Sequence, residues 1–128
     1  MIGVGTDIEE IERIRRSMEN PRFFTRVFSA EERELFGRRK MSAATVAGNF
    51  CAKEAFSKAL GTGIRGFSLS EISVLRDPQG RPVLHLTGRA QQLADKLGLA
   101  FSVSISHCPH YATAVVIAYR LASLNDLP

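Results

Sequence analysis

Glu54 and Lys58 stand four residues apart in the stretch Phe50-Cys-Ala-Lys-Glu-Ala-Phe-Ser-Lys-Ala-Leu-Gly-Thr-Gly-Ile64. On a helix that spacing turns both side chains the same way, a carboxylate beside an ammonium. Two readings follow. One is a surface ion pair on a core-packing helix, worth under about 1 kcal/mol. The other is a metal-ligating carboxylate next to a phosphate-pairing lysine. The second needs another carboxylate from elsewhere, because magnesium usually takes one or two carboxylates and fills its other positions with phosphate oxygens and water. Asp7 lies where a short first strand, Met1 to Thr6, hands over to a helix, and by itself it reads as an N-cap. His107 ends a strand beside a turn. It is either a half-buried imidazole satisfied by a backbone carbonyl or an imidazole facing a phosphate. No two histidines fall at a metal-site spacing.

The elements that must position these residues follow from periodicity. Ile8, Ile11, Ile14 and Met18 recur at helical spacing after the first strand, and Pro21 ends that helix. Ser29-Ala-Glu-Glu32 is a capping box opening a short helix to about Phe36. A longer helix runs from about Ala43 to Leu60, with Cys51, Ala52, Ala55, Phe56, Ala59 and Leu60 on its apolar arc. Asn49, Lys53, Glu54, Ser57 and Lys58 fall mainly on the other side. Gly61 stops it in a left-handed cap, and Gly63 keeps the next turn thin. Ile72 and Val74 alternate as a strand, Asp77-Pro-Gln-Gly80 is a turn, and Pro82 to Leu86 returns as a hairpin. Thr87 or Gly88 opens another helix, with Ala90, Leu93, Ala94 and Leu97 as its buried stripe and Gly98 closing it. Phe101, Val103, Ile105 and His107 alternate with serines. Tyr111 to Tyr119 pairs with that strand as a second hairpin. The order β-α-α-α-β-β-α-β-β predicts an α+β fold, an antiparallel sheet with packed helices.

The chain has 128 residues and 45% hydrophobic content, which suits one domain over 1–128. It shows no apolar run near membrane-spanning length and no signal segment, so no membrane partner is expected. The two cysteines, Cys51 and Cys108, form no zinc spacing or disulfide framework and suit a reducing cytoplasm. The net charge of +4 favours an anionic partner. Arginines crowd the first helix and the segment after it, including Arg13, Arg22 and Arg26. They read as a solvated face or as a docking patch for an acidic protein, with the neighbouring phenylalanines packed beneath or beside it. Interspersed glutamates and the lack of aromatic-basic alternation argue against nucleic acid.

Three separated patterns stand together: Gly5-Thr-Asp-Ile8 with Ile11 and Arg13-Ile14, Phe50 to Ile64, and Val103-Ser-Ile-Ser-His107. Their combination resembles the short, single-domain 4′-phosphopantetheinyl transferases of the holo-[acyl-carrier-protein] synthase family, over nearly the whole chain. The string Lys-Glu-Ala-x-x-Lys-Ala-x-Gly-Thr-Gly is the specific part. The resemblance implies the 4′-phosphopantetheinyl transferase fold. It implies transfer of phosphopantetheine from coenzyme A to a serine of apo-acyl carrier protein, releasing adenosine 3′,5′-bisphosphate, in the cytoplasm and in fatty acid biosynthesis. It makes Asp7 and Glu54 magnesium ligands and sets Lys58 on the pyrophosphate. Gly61, Thr62 and Gly63 become the turn beside the cofactor. Ser106 and His107 become the segment approaching the nucleotide phosphates, and Arg13, Arg22 and Arg26 the positions meeting the carrier protein. It also implies a homotrimer with sites shared between subunits. The acceptor of the serine proton stays open among a metal-bound water, a substrate oxygen and Glu54. Asn49 departs from the arginine common in the family, which raises the expectation of weaker coenzyme A binding or compensation by another residue. Two other readings share the sequence. One is the same chemistry on a specialised carrier protein; the other is a non-enzymatic basic adaptor for an acidic protein or RNA.

Overall fold

The computed structural model describes residues 3–61 and 66–121. Its elements are β1 (Gly3–Glu10), α1 (Ile11–Ser17), α2 (Pro21–Val27), α3 (Ala30–Arg38), α4 (Ala43–Ala59), β2 (Ile72–Arg76), β3 (Pro82–Leu86), α5 (Gly88–Leu97), β4 (Leu99–His107) and β5 (Tyr111–Arg120), with a 3-10 turn at Leu69–Glu71. The architecture is α+β, as expected. The strands form two antiparallel sheets, one of three strands in the order β1-β5-β4 and the hairpin β2-β3.

Two boundaries differ from those predicted. β1 continues past Asp7, pairing with β5 as far as Glu10 opposite Tyr111. The strand ladder therefore claims Ile8, which the apolar spacing had assigned to a helix, and Ile8 is exposed. Asp7 is thus not an N-cap; Glu10 holds that position for α1. At the other end, α1 stops at Ser17, before Pro21. The proline opens α2 at its first helical position, where a missing N–H costs nothing, and the Asn20 side chain accepts a hydrogen bond from the Arg22 N–H.

The central helix α4 starts at a Ser42 cap, where the serine side chain accepts from the Thr45 N–H. It buries more of its circumference than its hydrophobic arc predicts, since Asn49 and Lys53 are fully buried as well. The reason is a counter-charge sent in from α3. Glu32 closes the predicted capping box with Ser29, and its carboxylate also accepts from Lys53 Nζ. Lys53 donates further to the carbonyls of Leu69 and Ile72. Asn49 donates to Glu32 and to the Val74 carbonyl, and accepts from Arg76. A lysine can be buried on these terms because every donor finds an acceptor.

The core between α4 and the sheets holds Phe28, Phe36, Val46, Cys51, Phe56, Ile72, Val74 and Val116. The Asp77–Gly80 turn closes as predicted, with the Gly80 N–H donating to the Asp77 carbonyl. α5 buries Ala90 and Ala94 but leaves Leu97 largely exposed, and Gly98 caps it at a φ of 65°. No helix among the described residues is long and apolar enough to cross a membrane.

Candidate active site

β1 lies directly on the backbone of α4. A Cβ added at Gly5 would sit 2.0 Å from the Ala55 carbonyl oxygen and 2.6 Å from the Ala59 nitrogen. Only glycine permits that approach. Side chains alternate along a strand, so Gly3, Gly5, Asp7 and Glu9 all face α4. Two residues beyond the close contact, Asp7 therefore meets the helix face that carries Glu54 and Lys58.

Lys58 Nζ donates to Asp7 Oδ1 at 3.2 Å and to the Thr6 carbonyl at 3.0 Å. The amine thus pairs with an acid 51 residues away rather than with Glu54 one turn back. Asp7 itself is 12% exposed, and its second oxygen, Oδ2, is buried with no hydrogen-bond partner. A buried carboxylate oxygen without a partner is costly unless something positive completes it. Burial pushes the Glu54 carboxyl above its ordinary value, and the Asp7 charge pushes the same way against Lys58. The Asp7 charge thus reaches Glu54. Hard carboxylate oxygens and one orphaned lone-pair site are the donor chemistry that magnesium takes. Among the described residues no three His, Cys, Asp or Glu side chains form a metal cage. Magnesium does not need one where phosphate and water supply the remaining ligands.

Cys51 lies beneath the acids. Its thiol donates to the Ala112 carbonyl at 3.3 Å. Burial, with the charges of Asp7 and Glu9 adding, pushes the thiol up to about 12. It stays protonated and is not a nucleophile.

The sheet register carries His107 to the same end of the molecule. His107 pairs with Ala112, and Ala112 pairs with Glu9, so the three lie on one rung. His107 is exposed, which removes the reading of a half-buried, carbonyl-satisfied histidine. It borders a groove of about 740 Å³ together with Ile11, Arg15, Met18, Ser42 and Cys108. Ser106 points to the opposite, outer face of the sheet, so within one chain it does not join Asp7 and Glu54. Gly61 follows α4 at a φ of 99°. Thr62 and Gly63 lie outside the described residues.

Arg13, Arg22 and Arg26 are exposed on α1 and α2. Arg22 and Arg26 rim a shallow hollow with Phe23 and Val27. Phe23 packs edge-on against Phe24 and Phe28. Asn49 is locked in the Glu32–Lys53 cluster, about 140° round the helix from Glu54. It therefore sits in a buried network rather than on the Glu54 face. Sequence reasoning left Glu9 on the polar face of a helix; the strand instead turns it to the same side as Asp7. Period-two alternation would have found it had the strand been extended past Asp7.

The fold, and the pairing of an acid from the first strand with an acid and an amine from the central helix, define a family. The chain belongs to the 4′-phosphopantetheinyl transferase superfamily, which residues 3–116 match. Within it the chain is similar to holo-[acyl-carrier-protein] synthases. The one from Clostridium botulinum (strain Alaska E43 / Type E3) is 47% identical over 116 residues, covering 90% of this chain and 94% of that protein. The one from Thermoanaerobacter sp. (strain X514) is 44% identical over 117 residues, covering 90% and 85%. Among solved structures, the synthase from Neisseria meningitidis superposes with a TM-score of 0.86 at 34% identity, over 94% of this chain and all of that one. The ACPS–CoA complex from Chronobacterium ammoniagenes superposes at 0.82 with 32% identity, over 95% of this chain and 99% of that one.

Proposed function

We propose that this chain transfers 4′-phosphopantetheine from coenzyme A to a serine hydroxyl of apo-acyl carrier protein, releasing adenosine 3′,5′-bisphosphate, with magnesium held by Asp7 and Glu54. The observation that carries the reading is the buried, unpartnered Oδ2 of Asp7, whose other oxygen pairs with Lys58 on the helix that also carries Glu54. The names of the relatives supply the substrate class: they are carrier-protein synthases, and one solved neighbour is a complex with coenzyme A.

The reaction forms a bond from the serine oxygen to the β-phosphorus and breaks the bond to the bridging oxygen, which leaves with the nucleotide. Catalysis of such a transfer is mainly positioning and charge stabilisation. Magnesium, when bound, supplies positive charge at the diphosphate oxygens. Lys58, 56% exposed and already at the mouth of the site, adds a second cation aimed at the same oxygens. Gly61, Thr62 and Gly63 bind the coenzyme. His107 and Ser106 take the nucleotide phosphates, the imidazole lining the groove. Arg13, Arg22 and Arg26 receive the acidic carrier protein, and charge steering raises the encounter rate.

The working unit is a homotrimer with shared sites, acting in the cytoplasm as one domain over 1–128. Support for the trimer lies on the outer face of the three-stranded sheet, where Val4, Ile8, Val115, Ile117 and Tyr119 are 36–64% exposed. A contiguous apolar face of this kind is normally covered by a partner. Ser106 opens onto that face, which suits a role in a neighbour's site.

The deciding experiment incubates several apo-carrier proteins with coenzyme A and enzyme, with and without magnesium, and weighs the products by mass spectrometry. A phosphopantetheine mass gain that requires the cation is expected. No gain on any carrier with folded enzyme overturns the function, and a monomer in sedimentation at micromolar concentration overturns the trimer.

A further inference from the structure

We propose that Lys53 is a positioning residue for this reaction: together with Glu32 it fixes the roll of α4, and so the place where Glu54 stands. The inference rests on the reading of Asp7 and Glu54 as the cation's ligands. Lys53 precedes Glu54 on α4 and is fully buried. Its ammonium donates to three separate segments: the Glu32 carboxylate on α3, the Leu69 carbonyl at 2.9 Å, and the Ile72 carbonyl at the start of β2. Glu32 in turn accepts from the Ser29 N–H and from the Asn49 amide, each at 3.0 Å. Ser73 Oγ donates to Ser29 Oγ at 2.7 Å, which ties the start of α3 to β2. Asn49, one turn before Lys53 on α4, donates also to the Val74 carbonyl at 2.9 Å.

The helix is thus gripped on two flanks. Glu54 lies about 100° round α4 from Lys53, and Ala55 and Ala59 lie about 100–140° further on. There the Gly5 position of β1 presses on the helix backbone. The β1 contact is steric, whereas the network on the other flank is directional, and hydrogen bonds to fixed carbonyls resist rotation. Stability alone does not call for such a network, because apolar residues of similar volume often replace a buried ion pair at no cost. What apolar cores give up first is a single, rigid packing. A roll of about 10° would carry a carboxylate about 6 Å from the helix axis through about 1 Å. A displacement of about 1 Å can cost about 100-fold in rate.

The test uses the full-length protein at a temperature where each variant is folded by circular dichroism. Manganese binding is followed by the electron paramagnetic resonance of the free ion, and timed carrier-protein loading gives kcat and KM. Lys53→Met should lower kcat about tenfold and weaken manganese by a similar factor. KM for the carrier protein should not change, since the arginines that receive it stand on α1 and α2. Glu32→Leu combined with Lys53→Met removes both buried charges; it should regain stability and stay as slow as Lys53→Met. Glu32→Gln keeps an oxygen for Lys53 and should load at close to the wild-type rate. Leu99→Ala, in a buried position at the far end of β4 from His107, should lose stability with kcat and manganese binding unchanged. A folded Lys53→Met or double variant that binds manganese and loads like wild type overturns the role of Lys53. So does a Leu99→Ala protein that slows as much, because any loss of stability would then suffice. A Glu32→Gln protein as slow as Lys53→Met makes charge rather than placement the cause and overturns it too. A wild-type protein that loads no carrier and binds no manganese overturns the proposed function, and this inference with it.

Discussion

Replacing Gly5 with alanine tests whether the approach of β1 to α4 is what builds the site. The added Cβ would stand 2.0 Å from the Ala55 carbonyl oxygen and 2.6 Å from the Ala59 nitrogen, both of them backbone atoms within a helix. Neither can rotate away as a side chain would. Reaching an ordinary contact of about 3.5 Å means moving the strand off the helix by about 1.5 Å. Overpacking of this kind costs about 1–3 kcal/mol, and rigid partners on both sides place it at about 3. For a chain of this length that lowers the melting temperature by about 10–15 °C. The same movement carries Asp7 away from Lys58, whose hydrogen bond of 3.2 Å has little slack. A misplacement of about 1 Å can cost about 100-fold in rate. Urea unfolding measures the first effect. The rate of carrier-protein loading, at a temperature where the variant is still folded, measures the second. Gly37→Ala is the control: it lies inside α3 with open space around its Cβ, and it should gain about 0.5–1 kcal/mol. A Gly5→Ala protein within 0.5 kcal/mol of wild type (about the scatter of a neutral surface change) and loading at its rate would refute the reasoning.

Other consequences can be checked separately. Lys53→Met should cost about 3–5 kcal/mol in urea unfolding, because it leaves the Glu32 carboxylate buried without its cation; a cost under about 1 kcal/mol would mean that the cluster is not an ion pair. In folded protein at pH 8, iodoacetamide should add to exposed Cys108 well before buried Cys51, whose thiol burial pushes up to about 12; equal rates by mass spectrometry would contradict the packing around Cys51. Asp77 accepts from the Arg81 and Gln79 backbone N–H groups, and the Arg81 bond leads in holding its carboxyl below the ordinary value near 3.8. A depressed folded value means that its stabilisation is whole above 3.8 and is lost as pH falls through the folded value. Asp77→Ala should therefore flatten that part of the acid limb of the stability curve, and an unchanged slope would count against the turn geometry.

Local chemistry made much of this legible in the sequence. The Ser29–Glu32 capping box, the Asp77–Gly80 turn and the Gly98 cap each depend on residues within a few positions of one another, and all three stand as read. The failures are long-range. Whether Ile8 belongs to a strand or a helix is decided by β5, more than a hundred residues on, because pairing of Ile8 with Thr113 outweighs a helical spacing of isoleucines. The burial of Asn49 and Lys53 depends on Glu32 arriving from another helix, which no wheel drawn on α4 alone can show. Of the site, Glu54 and Lys58 were visible from their spacing, whereas Asp7 and its partnerless oxygen needed the strand to be placed against the helix. The same boundary, drawn at Asp7, put Glu9 on a helix rather than on the strand face it shares with Asp7.

The central claim is that Asp7 and Glu54 share one divalent cation. Anomalous diffraction from crystals grown with manganese and coenzyme A tests it most directly. The account predicts a single strong peak within about 2.2 Å of an Asp7 oxygen and a Glu54 oxygen, with the diphosphate completing the shell. A manganese peak elsewhere with coenzyme A bound, or one that touches only one of the two acids, would contradict it.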